Sequence, residues 1–378
     1  MAETIESLRN IAFASHGGAG KTSLAETMLY NAGIINRIGR VEDGNTAMDF
    51  EPEELKRNIS LSSGFHQFSW KKHIINLIDT PGDQNFFSDT KSCLQAADSV
   101  LIAVDAVDGI KVQTEQAWEF AEEFKLPCVI FINKLDRERA DFMRAFNDAA
   151  ECFEPKPMII QIPIGAEANF TGIIDLVSMK AYTYDAKGKS KKVDIPSDMQ
   201  DVVSEQREAL VENVVESDDE LLERYLEGEP LSDDEIKVAL KKGILSRSFA
   251  PVLCGSVTKN IGVDLLQDFI INCMPSPKDR GSWLAADATG DGEIECHPDP
   301  NAPFSGFVFK TVADPFAGRL SIFRIVSGTL GGDGNFFNVN KDTNERYNQL
   351  LRLAGKEQKQ ISKAGPGSIV AVAKLKET

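Results

Sequence analysis

From Asn10 to about Pro277, short apolar runs and helical patterns take turns along the chain, and that alternation constrains the fold more than any other feature. "IAFA" (11–14), "HIINLID" (73–79), "SVLIAVDA" (99–106), "CVIFIN" (128–133) and "PVLC" (251–254) are apolar runs bounded by turn or polar residues, the pattern of buried strands. Helical patterns follow them at Lys21–Asn31, Gln84–Ala97, Gln113–Lys125, Ala140–Cys152 and Val263–Cys273. Alternation of this kind predicts a mostly parallel sheet covered by helices on both faces.

The pattern is interrupted once, from about Met158 to Ser248. The interruption opens with strand-like "MIIQIPIG" and β-rich "FTGIIDLVSMKAYTY". Three S-x-x-[EQ] pairs follow, Ser197 to Gln200, Ser217 to Glu220 and Ser232 to Glu235. In such a pair the hydroxyl and the long polar side chain satisfy free amides at a helix start, so three short helices are predicted. The segment therefore reads as an inserted α+β subdomain. After "MPSPKDRG" the Gly-rich "DATGDGE" and "HPDPNAP" make a linker. "GFVFKTV", "RLSIFRIVSG", "NFFNV", "YNQLLRLAG" and "SIVAVAKL", set between Gly turns, then predict a small β-barrel. The expected division is residues 1–280, with the insert at about 158–248, and residues 281–378.

Composition removes several classes. With 42% hydrophobic and 26% charged residues the chain is an ordinary soluble globular protein. No apolar run approaches the roughly 18 residues of a membrane helix, and "MAETIESLRN" has neither the apolar core of a secretory signal nor the Arg of a transit peptide. The six cysteines are scattered with no C-x-x-C pair and do not cluster with the four histidines, which fits free thiols in a reducing cytoplasm. A net charge of −17 argues against a general basic surface for nucleic acid, and no DNA partner is expected. Between Asp198 and Ile236 fifteen acidic residues stand against two Arg, a run that reads as a solvated helical face.

Three motifs carry chemistry. "SHGGAGKTS" (15–23) lies between a strand and a helix and follows the phosphate-loop pattern, with Ser15 in place of its opening Gly. The amides of Ser15, His16, Gly17, Gly18, Ala19, Gly20 and Ser23 are candidates to cradle phosphates, with Lys21 on their oxygens and the Thr22 hydroxyl on Mg2+. His16 reads as structural. "DTPG" (79–82) ends a strand: Asp79 would hold Mg2+ through water, Thr80 and Pro81 carry the turn, and the Gly82 amide would meet the γ-phosphate. "NKLD" (133–136) supplies Asn133 for the base edge, the Lys134 stem over the base, and Asp136 for the paired N–H donors that guanine has and adenine lacks. In this order the three imply a GTP/GDP site and disfavour an ATPase. The fold class is an α/β P-loop GTPase domain with an inserted α+β subdomain, followed by a small β-barrel domain.

The chain resembles the N-terminal half of translation elongation factor G. "DGNTAMDFEPEELKRNIS" is similar to that family's first switch, with Ser60 where a Thr hydroxyl binds Mg2+. "PIGAEANFTGIIDLVSMKAY" resembles its insert, "CGSVTKNIGVDLL" its guanine-supporting loop with Ser256 and Val257 at the base-contacting positions, and "FKTVADPFAGRLSIFRIVSGTL" its second-domain barrel. The resemblance implies a monomeric cytoplasmic GTPase that acts on the ribosome in translocation or recycling, meeting ribosomal RNA and, through the acidic insert, the stalk protein. It also implies further domains beyond Thr378 and a barrel that lacks its last strand. A ribosome-protection GTPase shares these first two domains.

Three departures fall in one place. The family's catalytic His after "DTPG" is Asp83, and its "AHIDAGKT" reads "SHGGAGKT", so that Gly17 replaces an apolar gate residue and Gly18 an acid. The other half of the gate survives as Ile59. A carboxylate at position 83 is repelled by the γ-phosphate and by a ribosomal RNA phosphate, where positioning and charge neutralisation dominate catalysis. Two readings follow: slow or rerouted hydrolysis in which Asp83, Lys21 and Gly82 are the catalytic candidates, or a GTP-gated ribosome-binding module with Asp83 as a loop acid.

Overall fold

The structure, a computed structural model, describes residues 4–286, 292–314 and 318–378. Residues 287–291 of the "DATGDGE" linker and 315–317 of the expected barrel lie outside the described residues.

The strands and helices run in chain order as β1 (Leu8–Ala14), α1 (Lys21–Asn31), α2 (Pro52–Arg57), β2 (Gly64–Trp70), β3 (His73–Asp79), α3 (Phe87–Ala96), β4 (Ser99–Asp105), α4 (Val112–Glu123), β5 (Cys128–Asn133), α5 (Phe142–Cys152) and β6 (Pro157–Ile159). They continue as β7 (Gln161–Ile164), β8 (Gly172–Asp175), β9 (Lys180–Tyr184), β10 (Ser190–Val193), α6 (Gln200–Val215), α7 (Asp219–Leu226), α8 (Asp233–Leu245), β11 (Ala250–Cys254), α9 (Val263–Cys273) and α10 (Pro277–Arg280). A seven-stranded sheet has the order β2-β3-β1-β4-β5-β11-β6. Every pairing in it is parallel except β2 with β3. Because the strands are parallel, the motif loops after β1, β3, β5 and β11 all leave from the same edge, the carboxyl end where such sheets build their sites.

"MIIQIPIG" divides between two sheets. Met158 and Ile159 pair with β11 at the rim of the main sheet, and Gln161–Ile164 opens a separate four-stranded antiparallel sheet, β10-β9-β8-β7. Of the three expected capping boxes only Ser232 with Glu235 forms. Ser197 starts a 3-10 turn, so that α6 begins at Gln200 without it. At α7 the cap is Asp218, whose carboxylate accepts from Leu221 N, while Ser217 Oγ donates to the Val214 and Ala239 carbonyls. Asp outcompetes Ser there because a charged oxygen also favours the positive helix end.

The C-terminal segment is all-β: β12 (Trp283–Ala286), β13 (Glu293–Cys296), β14 (Ser305–Asp314), β15 (Gly318–Ser327), β16 (Leu330–Gly331), β17 (Gly334–Asn338), β18 (Thr343–Tyr347), β19 (Leu350–Ala354), β20 (Glu357–Ile361), β21 (Lys363–Ala364) and β22 (Ile369–Ala373). An antiparallel sheet β14-β15-β22-β19-β20 is completed by the ribbons β16-β21 and β17-β18 around Phe323, Ile325, Tyr347, Leu350 and Val372. One face of this unit joins the main core through Phe309, Leu320, Ile322 and Leu351, with Phe309 against Phe65 at 5.9 Å between ring centroids.

A buried charge cluster sits at this junction. Arg324 Nη2 lies 2.7 Å from Asp98 Oδ1, Arg324 Nη1 donates to the Ala96 carbonyl at 2.8 Å, and Asn10 Nδ2 donates to Asp98 Oδ2 at 2.8 Å. Arg280 approaches the same carboxylate at 3.7 Å and stacks 4.2 Å from the Trp283 ring. Burial and the neighbouring Arg324 charge pull Arg280 down to about 10. Replacing Asp98 with Ala leaves two guanidiniums facing each other, and removal of one member of a buried pair costs about 3–5 kcal/mol. Urea unfolding is expected to show that loss in Asp98→Ala and to recover more than half of it in Asp98→Ala/Arg324→Met. An undiminished loss in the double variant would place the energy elsewhere.

Candidate functional site

The loop between β1 and α1 turns on residues that only glycine suits. Gly18 and Gly20 hold φ of 86° and 96°, and a Cβ on Gly20 would lie 2.4 Å from Asn133 Nδ2. Lys21 is buried, and its Nζ donates to the Ser15 and His16 carbonyls at 3.0 Å each. Its pKa is pushed down by burial, against the pull of Asp79 and Asp49. Ser23 is half-buried in the first turn of α1 and lines the cavity described below.

"DTPG" lies directly against this loop. Gly17 N donates to the Gly82 carbonyl at 3.0 Å, and a Cβ on Gly82 would be 2.5 Å from both Gly17 N and Lys21 Nζ. Thr80 and Pro81 turn their polar atoms inward: Thr80 Oγ1 donates to the Phe13 carbonyl at 2.6 Å, and the Pro81 carbonyl accepts from Thr90 at 2.8 Å. Asp83 begins a 3-10 turn. Its Oδ1 accepts from the Asn85 backbone at 2.9 Å and from Asn85 Nδ2 at 2.8 Å, so one oxygen of the carboxylate is occupied by capping.

Asn133 joins three loops. Its Nδ2 donates to the Ala19 carbonyl at 3.0 Å, and its Oδ1 accepts from Lys134 N at 2.8 Å and Val257 N at 3.1 Å. Lys134 reaches across to the Gly18 carbonyl and to Asp105, each at 2.5 Å. Asp136 Oδ1 is buried without a partner. Ser256 and Val257 spend their amides inside the structure, Ser256 N on the Ile261 carbonyl at 3.0 Å and Val257 N on Asn133. Of the two, Val257 lines the cavity that these loops enclose, while Ser256 is buried and is not among its lining residues. The loops surround a cavity of about 1550 Å³ that also meets the insert at Thr171, Tyr184 and Lys187.

Thr22 Oγ1 and Ser60 Oγ lie 3.2 Å apart, joining α1 to the segment after α2. Asp79 Oδ1 and Asp49 Oδ2 are buried without partners, and burial raises both carboxyls well above the usual range, with neighbouring acids adding to it. Asp49 is the residue that motif reasoning missed; its signal is a lone acid between Met48 and Phe50 in "AMDFEPEE". Glu54 was missed too. It is buried and accepts from the amides of Phe50, Glu51, Leu61 and Ser62, which folds the segment carrying Ser60 around one carboxylate.

A phosphate-loop nucleotide fold with an inserted sheet-and-helix segment is the class that this arrangement defines. The Elongation factor Tu GTP binding domain model matches residues 6–276, and the Elongation factor G domain 2 model matches residues 303–378. Proteins named elongation factor G from Ureaplasma parvum serovar 3 and Ureaplasma urealyticum serovar 10 are each 38% identical to the chain over its whole length and over 55% of their own. A crystal structure of a Thermus thermophilus protein superposes with a TM-score of 0.86 at 31% identity, covering 98% of this chain and 52% of that one. The chain belongs to the elongation factor Tu-type GTP-binding family and is elongation factor G-like within it. It spans about half the length of these relatives.

His16 gives the site a pH signature. The ring is 2% exposed, its Nδ1 lies 2.8 Å from Thr114 Oγ1, and its Nε2 has no partner. Burial, helped by Lys111 and Lys21 and opposed by Asp105, lowers its pKa from 6.5 to about 4. A depressed histidine is neutral in the folded chain, so unfolding takes up a proton as pH falls below 6.5 and stability declines down to about pH 4. The His16 contribution is about 2 kcal/mol between pH 7 and pH 5. Urea unfolding of His16→Gln should lack that part of the decline, and parallel profiles for the two proteins would contradict it.

Proposed function

We propose that this chain binds GTP and GDP with Mg2+, hydrolyses GTP slowly, and serves as the nucleotide-dependent part of a ribosomal translation factor in the cytoplasm. The observation that carries the nucleotide reading is the Asn133 side chain, which closes the phosphate loop, "NKLD" and the "CGSVTKN" loop on one cavity. In this reading the amides of Gly18 to Thr22 cradle the phosphates, Lys21 leaves the Ser15 and His16 carbonyls for phosphate oxygens, and the Gly82 amide meets the γ-phosphate. The buried, unpaired Asp136 oxygen selects guanine, because adenine lacks guanine's adjacent N1–H and 2-amino donors.

The residues present fit Mg2+. Two hydroxyls, Thr22 and Ser60, adjoin two carboxylates with free oxygens, Asp79 and Asp49, and hard oxygen donors are what this ion takes. Among the described residues no three acidic, His or Cys side chains are grouped to hold a metal ion by themselves, so phosphates would complete the shell. When bound, the ion neutralises phosphate charge. The relatives' name, elongation factor G, supports a role in translation; ribosomal RNA and the stalk protein are the partners this proposal assigns.

Asp83 favours the weak-hydrolysis form of this reading. Its carboxylate is held by Asn85 and presents no donor to orient water against the γ-phosphate. Single-turnover GTP hydrolysis with ribosomes is expected to be little stimulated in the natural chain and at least about tenfold faster in Asp83→His, a modest share of what a positioned proton-transfer group supplies. Strong stimulation of the natural chain, unchanged in Asp83→Ala, would remove this reading. Asp136→Asn is expected to weaken GDP binding by about a hundredfold in a competition titration, since it replaces a charged acceptor with an amide. Equal affinities of parent and variant would reject the guanine assignment.

A further inference from the structure

We infer that the hairpin β9–β10 of the insert positions the loop at the base end of the nucleotide cavity, with Tyr184 and Asp264 as positioning residues; this rests on the guanine-nucleotide reading above. Asp264 is the second residue of α9, the helix that leaves the Ser256–Ile261 loop through Gly262. Both of its oxygens are taken by the hairpin: Tyr184 Oη donates to Oδ1 at 2.7 Å and Ser190 Oγ donates to Oδ2 at 2.6 Å. The two donors come from neighbouring strands and face each other in register, Ser190 opposite Tyr184, so the carboxylate clamps the hairpin as a unit. These are charge-assisted bonds, about twice as strong as neutral ones.

The loop touches the insert at two further points. The hairpin turn packs Gly188 on Asn260 so closely that a Cβ there would lie 2.5 Å from the Asn260 Cβ. Lys259 Nζ donates to the Ala168 carbonyl at 3.4 Å. On its other side Asn260 exchanges two side-chain hydrogen bonds with Asn31 at the end of α1, at 3.1 and 2.8 Å. The loop is therefore gripped between the phosphate-loop helix and the insert. Gly262 leaves no slack for a larger residue, since a Cβ there would meet the Cys254 carbonyl and Ile173 Cδ1 at 2.5 Å. Movement of the hairpin must then be passed to the loop, because Asp264 follows it by only three residues and is the hairpin's anchor.

Nothing in this arrangement touches phosphate, so the clamp acts on retention of the base and not on the γ-phosphate response. Release of fluorescent GDP and GTP from the 378-residue chain, followed by stopped flow, separates the two. Tyr184→Phe/Ser190→Ala is expected to release both nucleotides faster by the same factor, about tenfold or ~1.4 kcal/mol, with association rates unchanged and the nucleotide-free chain still folded, its melting temperature only modestly lowered by the loss of two bonds. Asp264→Asn, which keeps an acceptor oxygen, should fall between the parent and Asp264→Leu. Lys191→Ala, exposed on the same hairpin, should release at the parent rate. Hydrogen exchange in the nucleotide-free double variant should rise at amides 256–262 alone. Release rates and loop exchange equal to the parent's would overturn the inference, as would exchange that rises throughout the chain. If the parent binds neither nucleotide, the functional reading fails and the exchange arm still decides this one.

Discussion

A buried amide side chain left without partners costs about 1–3 kcal/mol per group, and in Asn133 the satisfaction of that requirement organises the whole site. Its nitrogen is spent on Ala19 and its oxygen on Lys134 and Val257. Each partner belongs to a loop that leaves a different strand of the sheet. The bonds can form only because β1, β5 and β11 run parallel and end on one edge. The same side chain forbids a Cβ at position 20, so the glycine of the phosphate loop is fixed by packing against Asn133 as well as by its positive φ. Sheet order, loop sequence and site geometry are one constraint here, expressed three times.

Beyond that anchored core, the segments around the Thr22 and Ser60 hydroxyls are held differently. Glu54 gathers four amides and Glu26 accepts from Gly39 and Ala47, while Leu55 and Ile59 stay 37% and 38% exposed. Few apolar contacts and a few charge-assisted bonds describe a region that opens at lower free energy than the sheet behind it. Asp89 on α3 extends the pattern across the junction. It accepts from Ser63 N at 2.7 Å and Oγ at 2.8 Å, and from Lys310 of the β-unit at 2.6 Å, while Lys310 also donates to Ser62. One carboxylate thus ties the segment behind Ser60, the helix behind "DTPG" and the β-unit together, and opening of that segment breaks these bonds. The Arg324 cluster and the shared apolar face hold the opposite side of that junction fixed.

Much of this was legible in the sequence where burial and periodicity coincide. Helices Lys21–Asn31 and Val263–Cys273 and strands His73–Asp79 and Cys128–Asn133 fall on the residues their patterns indicated. β2 was not legible, because an edge strand half in contact with its surroundings reads "GFHQFSW", without the apolar run that marks its neighbours. Two serines predicted as caps failed for a local reason: at α7 an Asp one residue later took the cap, and before α6 a 3-10 turn intervened. The roles of Asp49 and Glu54 depend on partners that are distant in space or formed by the folded segment itself, and no spacing rule encodes them. Asp83 was readable in part: a loop acid was one of the two roles open to it, and an Asp that accepts from the amide two residues on is an Asx-turn.

The three departures around the phosphate end are better understood together than singly. The resemblance stated above places an acid where Gly18 stands and a histidine where Asp83 stands, so in the function proposed above the loop has one carboxylate fewer and the turn one more. Gly18 has open space around it, with nothing within 4 Å of the point a Cβ would occupy, so it is the left-handed φ of 86°, and not a neighbouring atom, that favours glycine there. At Gly17 a Cβ would sit an ordinary 3.8 Å from the Gly82 carbonyl, so the loop has room for a side chain beside "DTPG", and none is present. The result is a phosphate loop stripped of side chains at two consecutive positions, beside a turn whose carboxylate is held by its own helix start. Phosphate binding, in the function proposed above, depends on backbone amides and Lys21 and is untouched by these exchanges. Water positioning depends on side chains at positions 17 and 83, and in that reading it is the one function they remove.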